Sequence, residues 1–200
     1  MNKLKLPHIL FGAYLGWFAA LAVNPYSREV WFAENLPMVI IVAVLAGTYR
    51  RFAFSNTSYV LMSVLLFLHT AGGHYTFERV PFGAVTDLFG FTRNHFDRIA
   101  HFSVGFYAYP IAEFIFRKGY TRSKGLLAFT GVTAIFTVAA VYEIIEWWYA
   151  AAADPAAGIA FLGSQGDIWD AQRDMLADGL GSICATALFL LRYDFGAPQN

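Results

Sequence analysis

Apolar residues run in long blocks along this chain, and polar residues gather at the block ends instead of alternating within them. A membrane-crossing helix needs roughly 20 predominantly apolar residues. Stretches at approximately 6–24, 32–49, 57–74, 97–117, 124–150 and 171–192 come close to that length. They predict an all-α, polytopic membrane protein, a bundle of about six transmembrane helices built as one domain over 1–200. The first stretch also fits a cleavable signal peptide, with Lys3 and Lys5 ahead of a short apolar run and Ala20-Leu21-Ala22 near its end. His8 beside that run, and the lack of a polar segment before Trp31, favour a retained helix. The connections 75–96 and 151–170 contain Gly, Pro and aromatic residues, which suits ordered caps over a site.

Composition agrees with a bilayer environment: 58% of residues are hydrophobic, 14% are charged and 20 are Phe. A formal net charge of zero and scattered basic residues argue against a nucleic-acid partner. Cys184 is the one cysteine, so no internal disulfide forms. Short basic loops mark the cytoplasmic side. Lys3, Lys5, Arg50, Arg51, Arg117, Lys118, Arg122, Lys124 and Arg192 fall on one side of a six-span arrangement, which makes both termini cytoplasmic. Among the acids only Glu113 and Asp194 lie toward that side. Trp17, Trp31, Trp147, Trp148 and Trp169 lie toward the other, where an interfacial belt places them.

The outer ends of the predicted helices carry the candidate chemistry. Asp170, Asp174 and Asp178 repeat every four residues and form one stripe on the last helix. At ~1.5 Å of rise per residue, Asp178 lies roughly 12 Å deeper than Asp170. A carboxylate at that depth is costly against lipid, so the stripe should face the bundle interior. Gly181 and Ala185 continue that side at a spacing that lets another helix approach closely. Asp97 and His101 share a face of the fourth span with Gly105 one turn deeper, and Glu143 and Glu146 end the fifth beneath its Trp pair. His69 and His74 would point apart on a continuous third helix, and a break at Gly72-Gly73 would let them converge.

Clustered carboxylates repel one another unless neutralised by Arg79, Arg93, Arg98 and Arg173, by shared protons, or by a divalent ion. Mixed imidazole and carboxylate ligation suits Zn, Mn or Fe. His69, His74, Asp97, His101, Asp174 and Asp178 are therefore the candidate metal ligands; Glu143, Glu146 and Asp170 are the candidate acid–base groups, and Arg98 and Arg173 the candidate holders of an anionic substrate. Plain readings stand beside these. Asp170 and Asp174 could be surface partners of Arg173, Asp97 an N-cap, His69 a satisfied core histidine, and the two glutamates snorkelling interface residues. Five histidines, with His8 and His95 elsewhere, are too few for a desaturase-type di-iron site. The stretch from Asp167 to Arg173 departs at Ala171 from the opening motif of CDP-alcohol phosphotransferases, and the second half of that motif does not follow.

HTAGGHY, FDRIAHFSVGF, EIIEWW and GDIWDAQRDMLADGLGS together resemble the YjdF-like family of bacterial inner-membrane proteins, over most of 34–192. More distantly, an acid-x-x-x-His helix start, a Glu in the next helix and a D-x-x-x-D-x-x-G final helix resemble the VanZ-like membrane proteins, which are associated with glycopeptide tolerance. This chain departs from the VanZ-like pattern by a second Glu followed by Trp147-Trp148. The resemblance implies an outward-facing site and supplies no reaction. The expectation is an inner-membrane protein with an outward His/Asp/Glu site, acting as a metal-dependent hydrolase or transferase on a membrane lipid or lipid-linked small molecule. The alternatives are a transporter or ion pathway, and a non-catalytic binding or assembly partner.

Overall fold

The computed structural model describes residues 5–195, so Lys3 lies outside the described residues. All regular structure among the described residues is helical: α1 (Leu6–Leu21), α2 (Arg28–Thr48), α3 (Asn56–Tyr75), α4 (Gly83–Phe89), α5 (Phe96–Val104), α6 (Ala108–Arg117), α7 (Lys124–Ala152), α8 (Pro155–Leu162) and α9 (Asp170–Arg192). Local chemistry sets several starts. Ser27, Ser55 and Ser123 cap α2, α3 and α7 by accepting from the amides of Val30, Ser58 and Leu126. Asp154 caps α8, whose first turn carries Pro155, and Gly163 ends it in the left-handed conformation at φ 60°.

Segments α2, Phe96–Arg117, α7 and α9 are long and apolar enough to cross a membrane. The apolar α1 has 16 residues, and α3 has the length but mixes Ser, Thr and His into its 20 residues. The protein is thus a polytopic helical membrane protein in which these four helices qualify by length and composition, against about six stretches expected from the sequence. Burial is inverted relative to a soluble fold. Trp147 is 64% exposed and Leu191 85%, whereas Glu34 and Asp178 are each 1% exposed. The expected caps are ordered: 75–96 contains a short 3₁₀ turn and α4, and 151–170 contains α8. Trp31 is buried against Phe18 and does not join the interfacial belt.

α3 packs on α1, α2 and α5, while α9 packs on α5, α6 and α7. The tightest crossing is between α5 and α9. A Cβ on Gly105 would collide with the backbone of Gly181 and Ser182, and one on Gly181 with the carbonyl of Phe102. This glycine contact draws the two backbones together and brings Asp97 and His101 over Asp174 and Asp178. Gly181→Ala is expected to cost about 1–3 kcal/mol, as overpacking does where backbone blocks relaxation. Thermal unfolding in detergent measures it; an unchanged midpoint would show that the crossing can open freely.

The expected break at Gly72-Gly73 is not present. α3 runs through both residues to Tyr75, because Gly72 makes room for the Phe77 ring and Gly73 for Asn35 and Glu34 of α2. His69 and His74 consequently remain apart. The helix ends instead at Thr76, with φ 59°.

Candidate functional site

Five aspartates and three arginines form a graded network from the N-terminal end of α9 inward. Asp167, in the loop before α9, accepts from the Trp169 amide at 3.1 Å, from Arg93 at 3.2 Å and from Arg173 at 2.6 Å. The Trp169 amide, then Arg173, Arg93 and Arg98, hold its carboxyl below the usual carboxylate range. Asp170 accepts from Arg93 at 3.0 Å and from Arg98. Asp174 accepts from the same Arg98 guanidinium, which lies 3.6 Å from Asp97. Arg98, expected at the rim for substrate, instead acts as an internal counter-charge. Asp170, expected as an acid–base group, has its Oδ1 held between two guanidinium groups.

One turn deeper the arginines stop and the carboxylates continue. His101 Nδ1 lies 3.3 Å from Asp178 Oδ2, and a carboxylate there draws the ring proton onto Nδ1. Nε2 faces Asp97 Oδ1 at 3.6 Å and Asp174 Oδ1 at 3.7 Å. Both distances are too long for good hydrogen bonds. A lone pair facing two carboxylates is repulsive until a proton or a cation sits between them. Asp97, His101 and Asp174 each offer a ligand atom, and these atoms lie within 4.8 Å of one another. Two carboxylate oxygens beside this group, Asp178 Oδ1 and Glu143 Oε1, are buried and have no hydrogen-bond partner among the described residues. Asp178, expected as a ligand, therefore sits as the partner that orients His101, the arrangement a histidine ligand commonly has.

The two remaining histidines go elsewhere. His69 Nε2 contacts the carbonyl of Glu34 and its carboxylate, both at 3.1 Å. His74 Nδ1 bonds the Leu21 carbonyl at 2.8 Å and ties α3 to the end of α1. Neither belongs to the group around His101 Nε2. Asp97, His101, Asp178, His69 and Glu146 do share the wall of one cavity of about 120 Å³, with the apolar Met38, Ile41, Leu65 and Val138 also among its lining. α2 and α7 both line it, without an extended packing contact between them; the Tyr142 hydroxyl spans the two by donating to Glu34 at 2.9 Å. A larger apolar cavity of about 260 Å³ between α1, α2 and α3 contains none of these groups.

Sequence reasoning passed over Glu34 and Tyr142. Glu34 sits within the apolar run of α2, and the cost that drew attention to Asp178 applies to it equally. Glu113, near the opposite end, is a structural staple: it accepts from the Ser55 amide and hydroxyl at 2.8 Å, from Ser58, and from Arg117 at 2.7 Å.

With this geometry in hand, the comparisons with known proteins agree with the membrane reading. Residues 6–194 match the model of a family described as predicted membrane protein (DUF2238). The chain belongs to that family. It is also 35% identical over 173 residues to the inner membrane protein YjdF of Escherichia coli strain K12, covering 86% of this chain and 82% of the relative. The resemblance read from HTAGGHY, FDRIAHFSVGF, EIIEWW and the Asp-rich final stretch is to this same family. No solved structure gives a significant match.

Proposed function

We propose that this member of the family binds a divalent cation through Asp97, His101 and Asp174 at the outer end of the bundle and acts as a hydrolase or transferase on a lipid or lipid-linked substrate. The observation that carries the reading is the convergence of His101 Nε2, Asp97 Oδ1 and Asp174 Oδ1, with His101 Nδ1 held by Asp178. Three protein ligands leave a coordination position open, the pattern of catalytic rather than structural sites. Zn, Mn or Fe held there supplies a Lewis acid and an acidified water. Glu143, with its unpartnered oxygen, is the nearby proton acceptor, and Glu146 lies on the cavity wall. Arg173, whose side chain is 58% exposed, offers donors to an anionic headgroup. The apolar residues that line the cavity, Met38, Ile41, Leu65 and Val138 among them, suit the chain of a lipid substrate.

The distribution of Lys and Arg supports an opening on the periplasmic side with the termini in the cytoplasm. A continuous ion pathway is less well supported. Inward of Asp178 the bundle fills with Tyr109, Leu127, Ile135 and Phe189, and Glu113 beyond them is saturated. Purified protein loaded with zinc and incubated in micelles of total inner-membrane lipid should consume a lipid species and release a new headgroup or chain product, followed by mass spectrometry, and His101→Ala should not. Identical lipid profiles for wild type and variant would remove the enzymatic reading.

A further inference from the structure

Glu34, His69 and Tyr142 make a second polar centre, on the α2 and α3 side of the same cavity. Its proton positions follow from the partners. The Glu34 backbone carbonyl can only accept, so the His69 nitrogen 3.1 Å from it, Nε2, carries the proton. The same N–H faces Glu34 Oε2 at 3.1 Å, and the Tyr142 hydroxyl donates to that oxygen at 2.9 Å. Two donors thus converge on one carboxylate oxygen. His69 Nδ1 is then the unprotonated nitrogen, and it makes no hydrogen bond among the described residues. His69 is 7% exposed, packs edge-on against Phe77 and Tyr142, and lines the cavity.

We propose that Glu34 and His69 form a proton-transfer dyad serving a hydroxyl group, of water or of an alcohol, bound in this cavity. His69 Nδ1 takes the proton as the O–H bond breaks and the oxygen keeps the electron pair; the imidazolium so formed is held by the Glu34 carboxylate. The proton returns from Nδ1 to a leaving oxygen in the reverse sense. Tyr142 is a positioning residue that fixes the carboxylate. The dyad goes beyond the cation site and does not require it, since the hydrogen-bond, ionic and ring partners of His69 among the described residues are Glu34, Phe77 and Tyr142. It also gives His69 a role different from metal ligation.

Diethyl pyrocarbonate is a suitable probe. An unprotonated ring nitrogen attacks its carbonyl to form the N-carbethoxy product, with release of carbon dioxide and of ethanol whose proton comes from the ring N–H. Labelling of His69 in the wild-type protein, quantified by peptide mass spectrometry with His95 as internal reference, should proceed despite its burial. Glu34→Gln keeps the shape and should slow it about tenfold or more, because an opposite charge beside an imidazole favours the cationic product of attack. His101→Ala should leave His69 labelling unchanged, so loss of the cation site and loss of the dyad are read separately. Absence of His69 labelling in the wild type, equal rates in Glu34→Gln, or loss of labelling in His101→Ala would overturn the proposal. Should Glu34→Gln fail to fold, nitrogen NMR of histidine-labelled wild type decides: a proton on Nε2 with a bare Nδ1 upholds the dyad, and a proton on Nδ1 overturns it.

Discussion

Arg98→Ala is expected to be among the most damaging single substitutions in this protein. Its guanidinium is shared between Asp170 and Asp174 with its side chain 15% exposed, and it approaches Asp97 at 3.6 Å. Removing one partner of a buried ionic network leaves carboxylates uncompensated, at a cost of about 3–5 kcal/mol. Arg98→Lys retains the charge and loses the planar two-pronged contact, so it should fall between wild type and alanine. Thermal unfolding in detergent reads both. If the neighbouring acids accept a cation, added zinc should recover part of the stability of Arg98→Ala, since a ligand that binds only the folded state stabilises it. Wild-type stability in Arg98→Ala would mean that these acids carry no charge in need of an arginine.

Asp178 separates the functional from the structural reading of the inner stripe. Asp178→Asn keeps an acceptor for His101 Nδ1 and removes the charge behind it. Loss of such an outer partner typically weakens a metal site about 10–100-fold, so zinc affinity by calorimetric titration should fall in that range while folding survives. Asp178→Leu removes the acceptor as well. Leucine also leaves the buried His101 Nδ1–H without a partner, so this variant should be less stable than Asp178→Asn and bind zinc more weakly still. Undiminished zinc affinity in both variants would leave the orientation of His101 without a role.

The helical frame was legible because period and length act locally. Four-residue spacing put Asp170, Asp174 and Asp178 on one side of α9 and Asp97 and His101 on one side of α5, and Gly105 and Gly181 already marked where those sides could meet. The partner choices were not legible, since they depend on which side chains a neighbouring helix brings near. Gly72-Gly73 reads equally as a hinge or as space for a neighbour, and only the seating of Phe77 and Asn35 against them decides for space. Arg98 and Arg173 look alike along the chain. One turns inward to two aspartates, whereas the other has a side chain 58% exposed. Glu34 is a different kind of miss: the depth argument applied to Asp178 was available for it, and an otherwise apolar run hid it.

The central claim is that Asp97, His101 and Asp174 hold a divalent ion, and direct metal analysis tests it best. Wild-type protein, loaded with zinc or manganese and then desalted, should retain a stoichiometric ion and lose thermal stability on chelation. His101→Ala should retain none under the same treatment, while Glu34→Gln, away from the ligands, should retain it. Wild-type protein that holds no stoichiometric ion and unfolds at the same temperature with and without chelator would contradict the claim, leaving Arg98 and a protonated His101 to neutralise the acids.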